Sequence, residues 1–291
     1  QVRIMEISKL SKSITPSGTM AISNKARVLR EEGKPVIGFG AGEPDFPTPE
    51  YVIKDVQVAA EDPANHKYSA VAGLNVLKDE IVRTSKLYSG IEVGQENIVV
   101  SNGGKHAILT TFMSLLNPGD EVLIPSPYWT TYPEAVKISG GNPIIVDTEF
   151  DDDFKINIDQ LEALKTNKTK ILVWVSPSNP TGVVYTKEEA EKIYNWAFDN
   201  DIWILSDELY EHLVYEGVTS PSPAQYDKTL KKTIVINGVA KAYSMTGWRV
   251  GWIIANTEVI DMAKKIQSHA TSNVSNLSQI AAYSALKNGL N

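Results

Sequence analysis

One lysine and one arginine stand eight positions apart in the stretch "NGVAKAYSMTGWRVGW" at 237–252: Lys241 and Arg249. A strand-like run, Thr233 to Ile236, leads into them, and Ser244, Thr246 and Gly247 keep the intervening backbone close and bendable. An amine can bond covalently to an aldehyde, and a planar guanidinium fork suits a bidentate grip on phosphate. Other strand-like runs end in polar groups too. "SNGGKHA" sets Gly103 and Gly104 at the start of a helix, where free amides and the helix dipole favour an anion. It is not a Walker A loop, because the G-x-x-x-x-G-K-[ST] spacing is absent and His106 stands where Ser or Thr is required. Asp207 closes "IWIL", Tyr210 follows three residues later, Trp129 lies in "SPYW", and Asn179 lies in the turn "SPSNPTG". Each has a plain reading alone: a glycine turn, a helix cap, a core aromatic, a surface lysine.

The elements that must position these groups are legible as alternating apolar runs and amphipathic stretches. The runs are "NIVVS" (97–101), "EVLIPSP" (121–127), "NPIIVDT" (142–148), "KILVWVSPSNP" (170–180), "DIWILSDELY" (201–210), "KTIVING" (232–238) and "RVGWIIA" (249–255). Several are nearly continuous in Val, Ile, Leu and Trp, as strands buried on both faces of a parallel sheet read. Between them, Ile108, Phe112, Leu115 and Leu116 recur at helical spacing before Asn117-Pro118-Gly119 ends the helix. "TKEEAEKIYNWAFDN" opens with Thr186 and Glu189 in a capping box. This predicts an α/β doubly wound core from about residue 50 to 291. In such a sheet, ligands bind outside the C-terminal strand ends. Five strand ends then bring to one mouth an anion cup, an aromatic plate, an amide, a carboxylate, a phenol and an amine. That set matches pyridoxal phosphate: an amine for the aldehyde, a carboxylate that keeps the pyridine nitrogen protonated, and donors for the phosphate.

Composition narrows the remaining classes. The 291 residues are 42% hydrophobic and 22% charged, with a net charge of −7. That balance fits an ordinary globular chain and argues against a nucleic-acid partner, which favours a basic face. No apolar run reaches membrane-span length, the start "QVRIMEISKLSKSITPSG" has no signal-peptide core, and a cytoplasmic enzyme is the expectation. There are no cysteines, hence no thiolate metal site, disulfide or cysteine nucleophile. His66, His106, His212 and His269 show no ligand spacing, so no metal is expected. The acidic run Asp151–Asp153 reads as a solvated turn.

Seven segments, "AGEPDFPTPE", "KYSAVAGLNVLKDEI", "SNGGKHA", "PSPYWTTYPE", "SPSNPTGVVY", "SDELYEHLVY" and "NGVAKAYSMTGWRVGW", span nearly the whole chain in order. In that order they resemble the fold-type I pyridoxal-phosphate enzymes. Within these, the chain resembles the class I aminotransferases of the bacterial aspartate type and their aspartate/prephenate relatives. The resemblance implies that Lys241 is the Schiff-base lysine and the acid/base of the proton transfer. Asp207 would pair with the pyridinium nitrogen, Tyr210 and Asn179 would hydrogen-bond the phenolic oxygen, and Trp129 would stack on the ring. Gly103, Gly104 and Lys105, through backbone amides, would bind phosphate together with Arg249. Tyr68 would reach the cofactor of a neighbouring subunit, which implies a homodimer with shared active sites. Gly42 would line the substrate site with Trp129 and Asn179. Residues 1–45 would form an N-terminal arm and part of a small domain, and 46–291 the large cofactor domain.

Some features depart from that pattern. Ala240 precedes Lys241 where the family carries a serine near the lysine, and Thr15 stands where prephenate-using relatives tend to have lysine. Arg3, Arg27, Arg30 and Arg83 match no segment for the arginine that clamps a substrate α-carboxylate, and the family's C-terminal small domain is not in these residues. The expected reaction moves the amino group of an L-amino acid, aspartate foremost, to 2-oxoglutarate. Alternatives on the same scaffold are a carbon–sulfur β-lyase, an aminocyclopropane-carboxylate synthase, or a truncated cofactor-binding fragment without turnover.

Overall fold

In the computed structural model, residues 6–290 are described; Arg3 lies outside them. All seven apolar runs form strands: β1 (Ile98–Ser101), β2 (Glu121–Pro125), β3 (Asn142–Val146), β4 (Thr169–Val175), β5 (Trp203–Asp207), β6 (Thr233–Gly238) and β7 (Gly251–Ile254). They make one sheet in the order β1-β7-β6-β5-β4-β2-β3. The pairings from β6 through β5, β4 and β2 to β3 are parallel, whereas β7 runs antiparallel to both β1 and β6. Strands β1 and β6 are buried at every position, which explains their unbroken hydrophobicity.

The described helices are α1 (Lys9–Ser13), α2 (Gly18–Glu31), α3 (Glu50–Ala59), α4 (Asn75–Ser89), α5 (Gly104–Leu115), α6 (Thr131–Ile138), α7 (Ile158–Leu164), α8 (Lys187–Asp199), α9 (Thr257–Ala270) and α10 (Asn276–Asn288). One core layer joins the sheet to α5, α6 and α9 through Ile108, Phe112, Val136 and Ile260. A second packs α3, α4 and α10 around Val52, Leu77, Ile81 and Ala282. A third holds α7 and α8 on the sheet through Leu161, Ile193, Trp174 and Trp196. Fully burying a side chain of this size contributes about 1.5–3 kcal/mol. At α8, Thr186 Oγ1 accepts from Glu189 N while Glu189 Oε2 accepts from Thr186 N, the capping box expected from the sequence.

Residues 6–49 differ in character. Neither α1 nor α2 buries a residue, and Ile37, Phe39 and Phe46 are exposed. The arm reaches the sheet through polar contacts: Thr48 Oγ1 donates to Ser244 O and accepts from Trp248 Nε1, and Thr246 Oγ1 donates to Glu43 Oε1 at 2.6 Å.

Gly251 locks the sheet to the start of α5. A Cβ there would sit 2.7 Å from Gly104 N and 2.8 Å from Gly103 C, both backbone atoms. Gly251→Ala must therefore push the Gly103–Gly104 loop away. The expected loss is about 1–3 kcal/mol of stability, read as a lower urea midpoint at unchanged m.

Candidate active site

The C-terminal ends of β1, β4, β5 and β6 open on one edge of the sheet, and the antiparallel direction of β7 puts its start on that edge too. This brings Arg249, just before β7, back to Gly103, just after β1. A Cβ on Gly103 would lie 2.7 Å from Arg249 Nη2, so the bare glycine gives the guanidinium its room. Gly103 has φ +83°, a conformation that glycine adopts at no steric cost. Arg249 itself has φ +57°, and its Nη1 donates to Thr246 O at 2.8 Å. Helix α5 has no side-chain cap at Gly103, which leaves its first-turn amides as donors beside Arg249. Burial, and then Arg249, push the Lys105 ammonium below its ordinary pKa. Its Nζ lies 5.1 Å from the Trp129 ring centroid. Two cations and open amides thus converge on one small region. His106 completes the loop: its Nδ1 accepts from Asn102 N at 3.2 Å, and burial lowers its pKa.

Asp207, the last residue of β5, is 4% exposed. Tyr132 donates its hydroxyl to Oδ2 at 2.7 Å, and Leu209 N donates to Oδ1 at 3.2 Å. Burial raises the Asp207 pKa, while those two donors pull it down. Tyr132 is 1% exposed and meets Trp129 edge-on, with ring centroids 5.6 Å apart. One tyrosine therefore braces both the carboxylate and the indole. Leu209 packs toward Gly104, where a Cβ would come within 2.8 Å of Leu209 Cδ1, so the β5 end and the α5 start are in direct contact.

Lys241 lies in the turn after β6. Its Nζ donates to Gly42 O at 2.5 Å and sits 5.6 Å from the Tyr210 ring centroid. Desolvation lowers its pKa; Glu43 opposes this and Arg249 adds to it. More of the amine is unprotonated at a given pH than in a free lysine, as a nucleophile requires. Asn179 Nδ2 donates to Tyr210 OH at 3.4 Å, joining the turn after β4 to the turn after β5.

The structure thus collects Lys241, Gly42, Tyr210 and Asn179 in one group, Asp207, Tyr132 and Trp129 in a second, and Gly103, Lys105 and Arg249 in a third. Gly104, through Leu209, and Lys105, over Trp129, connect the second group to the third. Tyr68 stands apart, 89% exposed, in an open hollow that it lines with Asn65, His66, Lys67 and residues 270–273, 275 and 276. Sequence reasoning missed Tyr132. Tyr132 is the second residue of α6 and Trp129 lies before the helix, so nothing local marked the contact with Asp207.

The family model "Aminotransferase class I and II" matches residues 34–291. An aspartate aminotransferase of Streptomyces avermitilis is 49% identical over 96% of this chain and 68% of its own length. An aspartate/prephenate aminotransferase of Cereibacter sphaeroides is 42% identical over 94% of this chain and 68% of its own. The solved aspartate aminotransferase of Thermus thermophilus with maleate superposes with a TM-score of 0.94 at 37% identity, covering 98% of this chain and 74% of that one. The chain belongs to the class I and II aminotransferases, and it spans about 70% of the length of these relatives.

Tyr132→Phe removes one of the two donors to a buried carboxylate, at an expected cost of about 1–3 kcal/mol. A carboxyl whose folded pKa is raised contributes stability at low pH that is lost as pH rises from its ordinary 3.8 through the folded value. Losing the donor raises the folded pKa further. The deficit of Tyr132→Phe in urea unfolding should therefore be larger at pH 7 than at pH 4.

Proposed function

We propose that this chain binds pyridoxal phosphate and transfers the amino group of an L-amino acid, aspartate foremost, to 2-oxoglutarate. The observation that carries the reading is the state of Asp207. It is a carboxylate almost wholly out of water, acted on by burial, one hydroxyl and one amide, and no cation among the described residues is among the influences on it. A buried carboxylate in that position calls for a positive partner, and a protonated pyridine nitrogen is one. The residues fit the rest of the group as well. Arg249, the amides of Gly103, Gly104 and Lys105, and the α5 dipole suit a phosphate dianion. The Trp129 face suits a planar ring, and Tyr210 with Asn179 suits a phenolic oxygen.

When bound, this cofactor supplies an aldehyde carbon that reacts with amines and a cationic ring that withdraws electrons from the substrate's α-carbon. The chain's own residues do the remainder. Asp207 would set its charge against the ring nitrogen, and Tyr132 holds that carboxylate in orientation. Lys241 Nζ would hold the cofactor's aldehyde end and would move the proton at the substrate's α-carbon. Gly42 O, by accepting from Nζ, orients the amine over Tyr210. Gly42, Trp129 and Asn179 would face the substrate. The choice of aspartate rests on the names of the relatives above.

The same proposal includes a homodimer in which the exposed Tyr68 reaches the neighbouring subunit's phosphate, and a cytoplasmic location. In support of the latter, no helix among the described residues is long and apolar enough to cross a membrane. The division into an arm and part of a small domain at 1–45 and a large domain at 46–291 is supported by the absence of buried residues in α1 and α2.

Borohydride reduction of the protein after addition of pyridoxal phosphate should tag the peptide carrying Lys241. Lys241→Ala should lose the tag and lower aspartate–2-oxoglutarate transfer by on the order of 10²–10⁴. Tagging at another lysine would overturn the reading.

A further inference from the structure

Behind Asp207 lies a second buried carboxyl that the reaction does not use. Glu208 is 3% exposed, and Glu211 follows one turn later, with Glu211 N donating to Glu208 O at 3.0 Å. Three acidic side chains therefore share the wall that carries Tyr210. Their hydrogen bonds divide unequally. Asp207 accepts on both oxygens, from Tyr132 and from Leu209 N. Glu211 also accepts on both: Ser89 Oγ donates to Oε2 at 2.8 Å and Asn237 Nδ2 to Oε1 at 2.7 Å, with His212 Nε2 lying 3.2 Å from Oε1. Glu208 accepts twice on one oxygen: Ser206 Oγ, at 2.8 Å, and Ser222 Oγ both donate to Oε1. Among the described residues no donor reaches Oε2, which leaves that oxygen free to carry a proton while Oε1 accepts.

We propose that Glu208 is a positioning residue that carries a proton on Oε2, leaving the negative charge to Asp207 and Glu211. Two adjacent carboxyls in a dry site cannot both ionise freely, and Glu208, whose two donors share one oxygen, keeps its proton rather than Asp207, which accepts on both. With Glu208 neutral, only one buried charge faces the ring site, and the Asp207–Tyr210 turn stays closed. The other titratable groups around the wall are consistent with this. His212 faces Glu211 and packs edge-on against Tyr88 of α4. Tyr243, on the turn after β6, feels Glu211, Tyr88, Tyr51 and Arg83, but Arg83 Nε pairs with Glu80 and its Nη2 donates to Leu286 O. The charged influences on Glu208 itself are Glu211 and Asp207, both negative; burial and Glu211 push its pKa from 4.5 up to about 8.

The test is Glu208→Gln, which keeps the shape and mimics the neutral acid. A carboxyl with a raised folded pKa contributes stability at low pH and loses it as pH rises from the unfolded value to the folded one. Between about pH 5 and 8, the wild-type unfolding constant should rise up to tenfold per pH unit relative to Glu208→Gln, and the two should run parallel above about pH 8. The Kd for pyridoxal phosphate, measured by absorbance, should give a wild-type to Glu208→Gln ratio that is flat below pH 7. It should rise several-fold by pH 9, because only in wild type does a third charge then open the turn. A merely structural role would leave that ratio flat. Glu211→Gln supplies an independent check should Glu208→Gln fold poorly. With the neighbouring charge removed, Glu208 releases its proton earlier, and the inflection in stability moves to lower pH. Parallel unfolding curves, a flat affinity ratio, or an unmoved inflection in Glu211→Gln would each overturn the proposal.

Discussion

A carboxylate held almost dry at the end of a strand is the constraint around which this molecule is arranged. Ionised Asp207 is costly unless hydrogen-bonded and matched by positive charge. The protein supplies the hydrogen bonds, from Tyr132 and from the backbone of Leu209. The described residues place no cation there, and that shortfall points to what the site takes up. The same residues tie the carboxylate to its neighbours. Tyr132 reaches Trp129, and Leu209 presses on Gly104, so the acid, the aromatic plate and the anion cup cannot shift independently.

The opposite end of the site depends on strand direction. Were β7 parallel to β6, its start, and Arg249 with it, would lie at the far edge of the sheet. Running antiparallel, it returns Arg249 to the mouth, a few ångströms from Gly103. Lysine and arginine are thus brought together by a strand, a turn and a reversed strand. Negative charge is favoured where Arg249 and Lys105 meet, and positive charge where Asp207 waits. A ligand with a phosphate at one end and a cationic ring nitrogen at the other would be oriented by these fields before any covalent contact forms.

Much of this was legible in the sequence, for identifiable reasons. Strands buried on both faces write themselves as continuous apolar runs, which is why β1, β6 and β7 stood at the right places, and the partly exposed β3 still kept its Ile144–Val146 run. The Thr186–Glu189 box and the Asn117-Pro118-Gly119 stop are local chemistry and marked the ends of α8 and α5 as expected. Partners distant in sequence were not legible. Tyr132 and Asp207 are 75 positions apart, and the hydroxyl that serves the carboxylate carries no local sign of doing so. The reversal of β7 left no mark either, since a buried antiparallel strand is as hydrophobic as a parallel one. Glu208 read as one acid among several in "SDELYEHLVY", because its proton is decided by Ser222, Glu211 and burial. Tyr68 matched its segment, yet lies on an open surface apart from the other site residues.

The most direct measurement is nitrogen NMR of ring-labelled pyridoxal phosphate bound to the protein. A protonated ring nitrogen across neutral pH is expected in the wild type, lost when Asp207 is replaced by Ala. An unprotonated nitrogen in the wild-type protein, or one indifferent to Asp207, would contradict the role assigned to this buried charge.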